Sequence, residues 1–236
     1  MTDPLVLIPG FMADARAFLP QIVALGAMHS LTLILPVTGS TVEEMSAACL
    51  PHLPPKFVLI GHGLGGDVAL DLIRRAPDRV TRVALLSTDP LAEAPQAAAA
   101  REARIIAARS GRLLHAMAEE IPPHSLAPGD TRDDTLAAIQ EMALGLGPDM
   151  FQRQSRALQR RPDQQKTLRR AMLPALILAG EFDTLVPVRR QEFTVGLMPY
   201  ATLRVIKGAG HLPALEQPEA VTAALRQFLA GPLLLK

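Results

Sequence analysis

Short apolar runs alternate along the chain with segments in which apolar residues recur every three or four positions. The first pattern is typical of buried strands and the second of amphipathic helices. The apolar runs predict strands at 5–8, 31–35, 56–60, 80–86, 175–180 and 202–206. Because predicted helices separate most of these strands, we expect a mostly parallel sheet of about six strands with helices on both faces. The pattern therefore predicts an α/β fold.

The pattern changes between residues 92 and 172, where no run predicts a strand. Helical segments are predicted there at 97–108, 113–120, 135–146 and 150–158. We therefore predict a core formed by residues 1–91 and 173–236, with residues 92–172 inserted as a helical lid. Ala, Leu and Met dominate the apolar positions of the lid, which favours a largely apolar pocket beneath it. We interpret a run of arginines late in this segment as a solvated face rather than an anion site: Arg153, Arg156, Arg160, Arg161, Arg169 and Arg170.

A glycine-rich corner joins the third predicted strand to the helix that follows it. Its glycines are Gly61, Gly63, Gly65 and Gly66. Such a density indicates a sharp turn, because glycine accepts positive φ and close packing. A nucleophile elbow, G-x-S-x-G, has serine where this chain has Gly63. A dinucleotide fingerprint, G-x-G-x-x-G, matches Gly61, Gly63 and Gly66, with Asp89 as a candidate ribose ligand.

Composition narrows the functional classes. The 236 residues carry a formal net charge of +1, which gives no reason to expect nucleic acid as a partner. The single cysteine, Cys49, excludes an internal disulfide and fits a reducing compartment. We find no signal-peptide pattern, no apolar run of membrane-spanning length and no metal-site spacing of His, Cys and carboxylates. We therefore expect a cytoplasmic protein without a membrane or metal partner.

Two further residues with catalytic chemistry follow predicted strands. Asp183 comes after the fifth strand and His211 after the last. Ligands of open parallel sheets bind beyond the carboxyl ends of the strands, so we expect both residues near the glycine corner. The order of corner, acid and histidine is that of hydrolases built on a nucleophile elbow. The simpler alternatives are that Asp183 caps the next helix and that His211 is structural.

Four stretches of the chain, in order, carry a family resemblance: residues 7–11, 61–66, 180–187 and 208–218. On these motifs the chain resembles the α/β-hydrolase superfamily over nearly its whole length. The resemblance implies a Ser-His-Asp esterase or lactonase that acts on a small ester, lactone or related acyl compound without a cofactor. It implies that Asp183 orients His211, the general base. The backbone N–H groups of Phe11 and Leu64 are implied as the oxyanion hole.

The same resemblance carries three further expectations. Met12 and His62, beside the oxyanion donors, are expected to contact substrate, and His62 is interpreted as a pocket wall rather than a base. The first strand matches the family's third, so we expect the fold to lack the usual N-terminal hairpin. Oligomeric state is left open.

Gly63 is the departure from the family pattern, because it stands at the nucleophile position and carries no attacking atom. Covalent catalysis through residue 63 is therefore excluded in this chain. Three explanations stay open: an inactivated variant of a serine hydrolase, a natural member that kept only ligand binding, and serine-free chemistry that uses His211. A nucleotide-dependent oxidoreductase is the remaining alternative, although its fingerprint normally opens the first βαβ unit.

Overall fold

The computed structural model describes residues 3–233 as an α/β fold. The strands are Leu5–Ile8 (β1), Leu31–Leu33 (β2), Phe57–His62 (β3), Val80–Leu86 (β4), Ala175–Gly180 (β5) and Ala201–Ile206 (β6). The α-helices are Leu19–Gly26 (α1), Val42–Cys49 (α2), Leu64–Arg75 (α3), Pro95–Arg109 (α4), Leu113–Glu120 (α5), Arg132–Gln159 (α6), Gln165–Arg170 (α7), Val188–Leu197 (α8), Pro213–Glu216 (α9) and Pro218–Ala230 (α10). Short 3₁₀ helices lie at Ala15–Phe18, Leu50–His52 and Pro123–Ser125.

The strands form one sheet in the order β2-β1-β3-β4-β5-β6, and every neighbouring pair is parallel. The prediction of about six mostly parallel strands is therefore confirmed. In the described residues, no antiparallel hairpin precedes β1.

Alternate residues of the strands pack into two buried hydrophobic clusters, one on each face of the sheet. In β1, Val6 and Ile8 join the cluster on one face, and Leu5 and Leu7 join the cluster on the other. All four side chains are fully buried. This two-sided burial explains why the central strands are continuous apolar runs rather than alternating ones.

Local capping chemistry sets the start of α2. The Thr41 hydroxyl accepts a hydrogen bond from the Glu44 N–H at 3.1 Å, and the Glu44 carboxylate accepts one from the Ser40 N–H at 2.7 Å. The Glu44 side chain thus reaches one residue further back than in a standard capping box. Thr41 is therefore the N-cap of α2.

Helices α4 to α7 occupy the chain between β4 and β5. Gly147 interrupts α6 with φ 80° and ψ 172°, at the Gly-Pro pair predicted to separate two helices. Helices α7 and α9 were not predicted. Helix α9 ends before Gln217, where φ is −137° ahead of Pro218, and α10 begins at that proline. A residue before proline is driven out of the helical region by its clash with the proline ring.

Candidate active site

The corner between β3 and α3 has the backbone of a sharp elbow. Gly63 has φ 49° and ψ −118°, and its N–H donates to the Leu86 carbonyl at 3.0 Å. A Cβ built at position 63 meets nothing within 4 Å. The positive φ is a conformation that residues with a Cβ rarely adopt. The corner therefore offers open space for a side chain at position 63, at the cost of backbone strain.

The neighbouring glycines are required by close packing. A Cβ at Gly65 lies 2.0 Å from the Ile8 carbonyl oxygen, and a Cβ at Gly66 lies 2.0 Å from the Thr88 hydroxyl oxygen. A Cβ at Gly61 lies 2.6 Å from the Gly65 carbonyl oxygen. The helix thus packs directly on the ends of two strands, which accounts for the glycines without a bound nucleotide.

Asp183 and His211 form a hydrogen-bonded pair beside this corner. The carboxylate oxygens of Asp183 lie 3.0 and 3.2 Å from His211 Nδ1. Asp183 Oδ1 also accepts the N–H groups of Leu185 and Val186, each at 2.9 Å. Asp183 therefore both caps the turn that follows it and binds His211. Because Nδ1 donates to the carboxylate, the other ring nitrogen, Nε2, is left as the proton acceptor.

Burial and pairing set the charge of this pair. Burial alone disfavours the imidazolium, but the Asp183 carboxylate outweighs it and raises the pKa of His211 above its ordinary value. Burial also opposes ionisation of Asp183, yet His211 and the hydrogen bonds to the carboxylate lower its pKa overall. The pair is therefore built to stabilise a proton on the imidazole.

Glu216 fixes the loop that carries His211. Its carboxylate is 7% exposed and accepts the N–H groups of Gly210, Leu212 and Ala127 at 2.7 to 2.9 Å. The His211 N–H donates to the Ser125 carbonyl at 2.8 Å. Residues between α5 and α6 therefore hold the histidine loop from the side opposite the sheet.

The N–H groups predicted as an oxyanion hole are free. Within residues 3–233, neither the Phe11 N–H nor the Leu64 N–H donates to a protein acceptor. Leu64 is the first residue of α3, where the helix leaves backbone donors without an internal partner. Unpaired donors at a helix N-terminus favour a negatively charged ligand atom.

Gln154, on α6, holds the loop of Phe11. Met12 has φ 50°, and its N–H donates to Gln154 Oε1 at 2.7 Å. The Gln154 amide is 1% exposed and also donates to the Pro36 carbonyl at 3.4 Å. The Phe11 ring packs edge-on against Phe151, with 5.1 Å between ring centroids. No local pattern in the sequence predicts this contact, because the bonded residues are 142 positions apart.

We expect Gln154→Leu to lower the free energy of unfolding by about 1–3 kcal/mol, because it leaves the buried Met12 N–H without an acceptor. Urea denaturation measures the loss. Gln152→Leu, on the same helix at a partly exposed position, is the matched control and is expected to change stability by less than about 0.5 kcal/mol. Equal urea midpoints for the two variants contradict a stabilising role of the hydrogen bond between Gln154 and the Met12 N–H.

His62 lies against His211, with 5.2 Å between the ring centroids. Its Nε2 lies 2.8 Å from the His211 carbonyl oxygen, to which it donates. Burial lowers the pKa of His62 to about 4, so the ring is neutral and serves as a wall of the site. Its ring also explains Gly10, where a Cβ would lie 2.4 Å from His62 Nδ1.

Comparisons with known proteins identify the family of the chain. Residues 5–224 match the profile of the Alpha/beta hydrolase family.

The chain belongs to the alpha/beta hydrolase family.

The relatives of this alpha/beta hydrolase include several esterases. A protein of Aromatoleum aromaticum named pimeloyl-[acyl-carrier protein] methyl ester esterase is 30% identical over 216 residues, which cover 83% of each chain. A thermophilic esterase from Thermogutta terrifontis has a solved structure that matches with a TM-score of 0.85 at 28% identity, covering 96% of this chain and 89% of that one. The enol-lactonase from Burkholderia xenovorans matches with a TM-score of 0.85 over 98% of this chain and 93% of that one; its 19% identity shows the shared fold alone.

A cavity of about 300 Å³ opens beside the pair. Of the residues predicted for the site, Phe11, His62, Gly63, Leu64 and His211 line it. Asp183 lies behind His211, and Met12, predicted to contact substrate, is fully buried outside the lining. A larger cavity of about 550 Å³ lies between α3 and α7 and contains none of these residues.

The expectation of a largely apolar pocket is wrong. Charged side chains from both sides of the cavity contribute to its wall: Asp89, Glu93, Arg101, Arg104, Glu119, Glu120 and Arg161. Arg101 is held by Glu93 and Glu120 through three bonds of 2.6 to 2.8 Å. Charged side chains that are paired can be buried at a lower free-energy cost than single charges. The helical segment can therefore present charged side chains to the cavity. Of the arginines predicted to form a solvated face, Arg161 instead lines the cavity.

Over residues 3–233, no group of His, Cys, Asp and Glu side chains has the arrangement of a metal site. In the same residues, no helix is both long and apolar enough to cross a membrane. Cys49 is buried and unpaired by a disulfide, and burial raises the pKa of its thiol to about 11.

Proposed function

We propose that this chain has the binding site of an ester-acting hydrolase, with glycine at the position of the nucleophile. One observation carries the proposal. The Asp183–His211 pair and the free N–H groups of Phe11 and Leu64 surround the open space at Gly63. The esterase names of the relatives support the same substrate class.

Each part of the site has a role when a serine occupies position 63. The serine oxygen attacks the ester carbonyl carbon while His211 Nε2 takes its proton. Asp183 stabilises the imidazolium that forms. The N–H groups of Phe11 and Leu64 donate to the oxyanion. His211 then returns the proton to the leaving alcohol, and a water molecule activated by the same imidazole hydrolyses the acyl-enzyme.

The chain with Gly63 lacks the first of these steps. It keeps the groups that bind and polarise a carbonyl, so we propose that it binds an ester without forming an acyl-enzyme. Residues 92–172 are proposed as a lid over the bound ester, because Glu93, Arg101 and Glu120 of this segment line the cavity. Ligand binding without turnover is the second candidate function, and the missing hydroxyl at Gly63 is the observation that favours it.

We expect Gly63→Ser to gain covalent labelling by a fluorophosphonate probe and turnover of short p-nitrophenyl esters. The open space at position 63 admits the side chain, and the elbow backbone already has the required conformation. Intact-mass spectrometry measures a single adduct on this variant.

Gly63→Ala is the matched control, because it adds the same Cβ without the hydroxyl and is expected to stay unlabelled. A folded Gly63→Ser variant that neither reacts with the probe nor hydrolyses the esters refutes the hydrolase proposal. The same variant binding esters without turning them over favours the binding function.

A further inference from the structure

Arg161 has an unusual environment for a buried cation. It follows the end of α6 and lines the same cavity as Gly63 and His211. Its side chain is only 14% exposed. A guanidinium presents five N–H donors, and burial makes each unpaired donor costly. Each donor of the Arg161 guanidinium is therefore expected to have an acceptor.

The Arg161 guanidinium makes no hydrogen bond within the described part of the chain. Its Nε is buried without a partner. The nearest carboxylate oxygens are Asp89 Oδ2, 3.5 Å from Nη2, and Asp67 Oδ2, 3.9 Å from Nη1. Both distances are longer than those of charge-assisted hydrogen bonds, about 2.7–2.9 Å. Arg101, in the same wall, makes three such bonds.

The acidic neighbours of Arg161 balance its charge only in part. Asp89 is shared with Arg190, whose Nε lies 3.8 Å from Asp89 Oδ1. Asp67 is 2% exposed, and its Oδ2 has no hydrogen-bond partner. Burial raises the pKa of Asp67 to about 7, so its carboxyl carries a reduced negative charge near neutral pH. Arg161 therefore has both charge and donors to offer a ligand.

We propose that Arg161 binds a carboxylate of the ligand, so that the preferred ligands are half-esters of dicarboxylic acids. The carbonyl of the ester lies at Gly63 and the far carboxylate at the guanidinium. This inference rests on the proposed ester-binding site and adds a second contact to it. The planar fork of arginine matches a carboxylate with two parallel hydrogen bonds.

A carboxylate fits this site better than a phosphate. Asp89 and Glu93 line the same cavity, and their repulsion of a ligand grows with its negative charge. A phosphate monoester carries nearly two charges at neutral pH, whereas a carboxylate carries one.

The test uses the chain with Gly63, which is expected to hold an ester intact. Calorimetry at pH 7 compares monomethyl with dimethyl esters of the dicarboxylic acids from succinate to suberate. We expect at least one monomethyl ester to bind about tenfold or more tightly than its dimethyl counterpart, because hydrogen bonds between two charged groups are stronger than those to a neutral ester. Equal affinities throughout the series, or binding of neither ester, overturn the proposal. The matching methyl phosphate esters binding more tightly than the carboxylates also overturn it.

Three variants test whether the preference depends on Arg161. Arg161→Gln is expected to remove the preference for monomethyl esters, whereas Arg160→Gln, at the exposed neighbouring position, is expected to keep it. Asp89→Asn removes a competing charge and is expected to tighten binding of the monomethyl ester severalfold, which keeps the test decisive if Arg161→Gln fails to fold. A preference that survives in Arg161→Gln, or weaker binding by Asp89→Asn, contradicts the role of Arg161.

Failure of this proposal is separable from failure of the hydrolase proposal. Labelling of Gly63→Ser with no preference for monomethyl esters refutes only the carboxylate site. An Arg161-dependent preference in a chain whose Gly63→Ser variant stays unlabelled supports the carboxylate site and refutes acyl transfer.

Discussion

Asp183→Asn in a Gly63→Ser background is expected to lower kcat/KM for ester hydrolysis about ten-thousandfold, the size of the loss when the acid of a Ser-His-Asp triad becomes an amide. The asparagine Oδ1 still accepts the N–H groups of Leu185 and Val186, so the turn is preserved. What is lost is the carboxylate that receives His211 Nδ1–H and stabilises the imidazolium.

A pH profile separates this electrostatic role from a structural one. The Asp183 carboxylate raises the pKa of His211, so activity of Gly63→Ser is expected to rise with pH through a pKa above the ordinary histidine value. Removing the carboxylate lowers that pKa, and the residual activity of the double variant is expected to titrate at a lower pH. Asp163→Asn, at an exposed position, is the control and is expected to change neither quantity. A loss smaller than about tenfold contradicts the assigned role of Asp183.

Gly65→Ala is expected to destabilise the fold by about 3 kcal/mol or more, since its Cβ overlaps the Ile8 and Pro9 carbonyl oxygens at 2.0 and 2.4 Å. These atoms belong to the main chain at the end of β1 and leave no flexible side chain to move. Helix propensity alone predicts the opposite sign, because Gly65 lies inside α3.

Gly196→Ala is the matched control for this effect. Gly196 lies inside α8, and its Cβ would meet nothing within 4 Å. We expect it to stabilise the protein by up to about 1 kcal/mol through the gain in helix propensity. Urea denaturation of both variants measures the contrast. Similar midpoints for the two contradict the close approach of α3 to β1.

The sequence predicted the features that depend on local pattern. Strand Val80–Leu86 and helix Leu113–Glu120 have the predicted bounds, because an apolar run and a clear period are set by neighbouring residues. Asp183 and His211 were found because each directly follows a strand of a parallel sheet. Their pairing in space supports the prediction, while their catalytic roles stay predictions.

Long-range contacts set the features that the sequence did not predict. Gln154 reaches Met12 across 142 positions, and no local spacing marks a glutamine that holds a distant loop. The charged wall was missed for a related reason. Arg101 lies in an Ala-rich helix, where the sequence alone predicts a surface position. In the fold it is buried because it pairs with Glu93 and Glu120. Composition describes which side chains are present, whereas ion pairing decides which of them are buried.

The open space at Gly63 has a genetic consequence. Glycine codons GGT and GGC become serine codons AGT and AGC by one base substitution. Because no neighbouring atom obstructs a Cβ at Gly63, and the loops of Phe11 and His211 are held by other residues, no second mutation is required to make room. A gene encoding this chain with such a codon is therefore one point mutation away from placing a hydroxyl beside the Asp183–His211 pair, which is the single change that the proposed reaction requires.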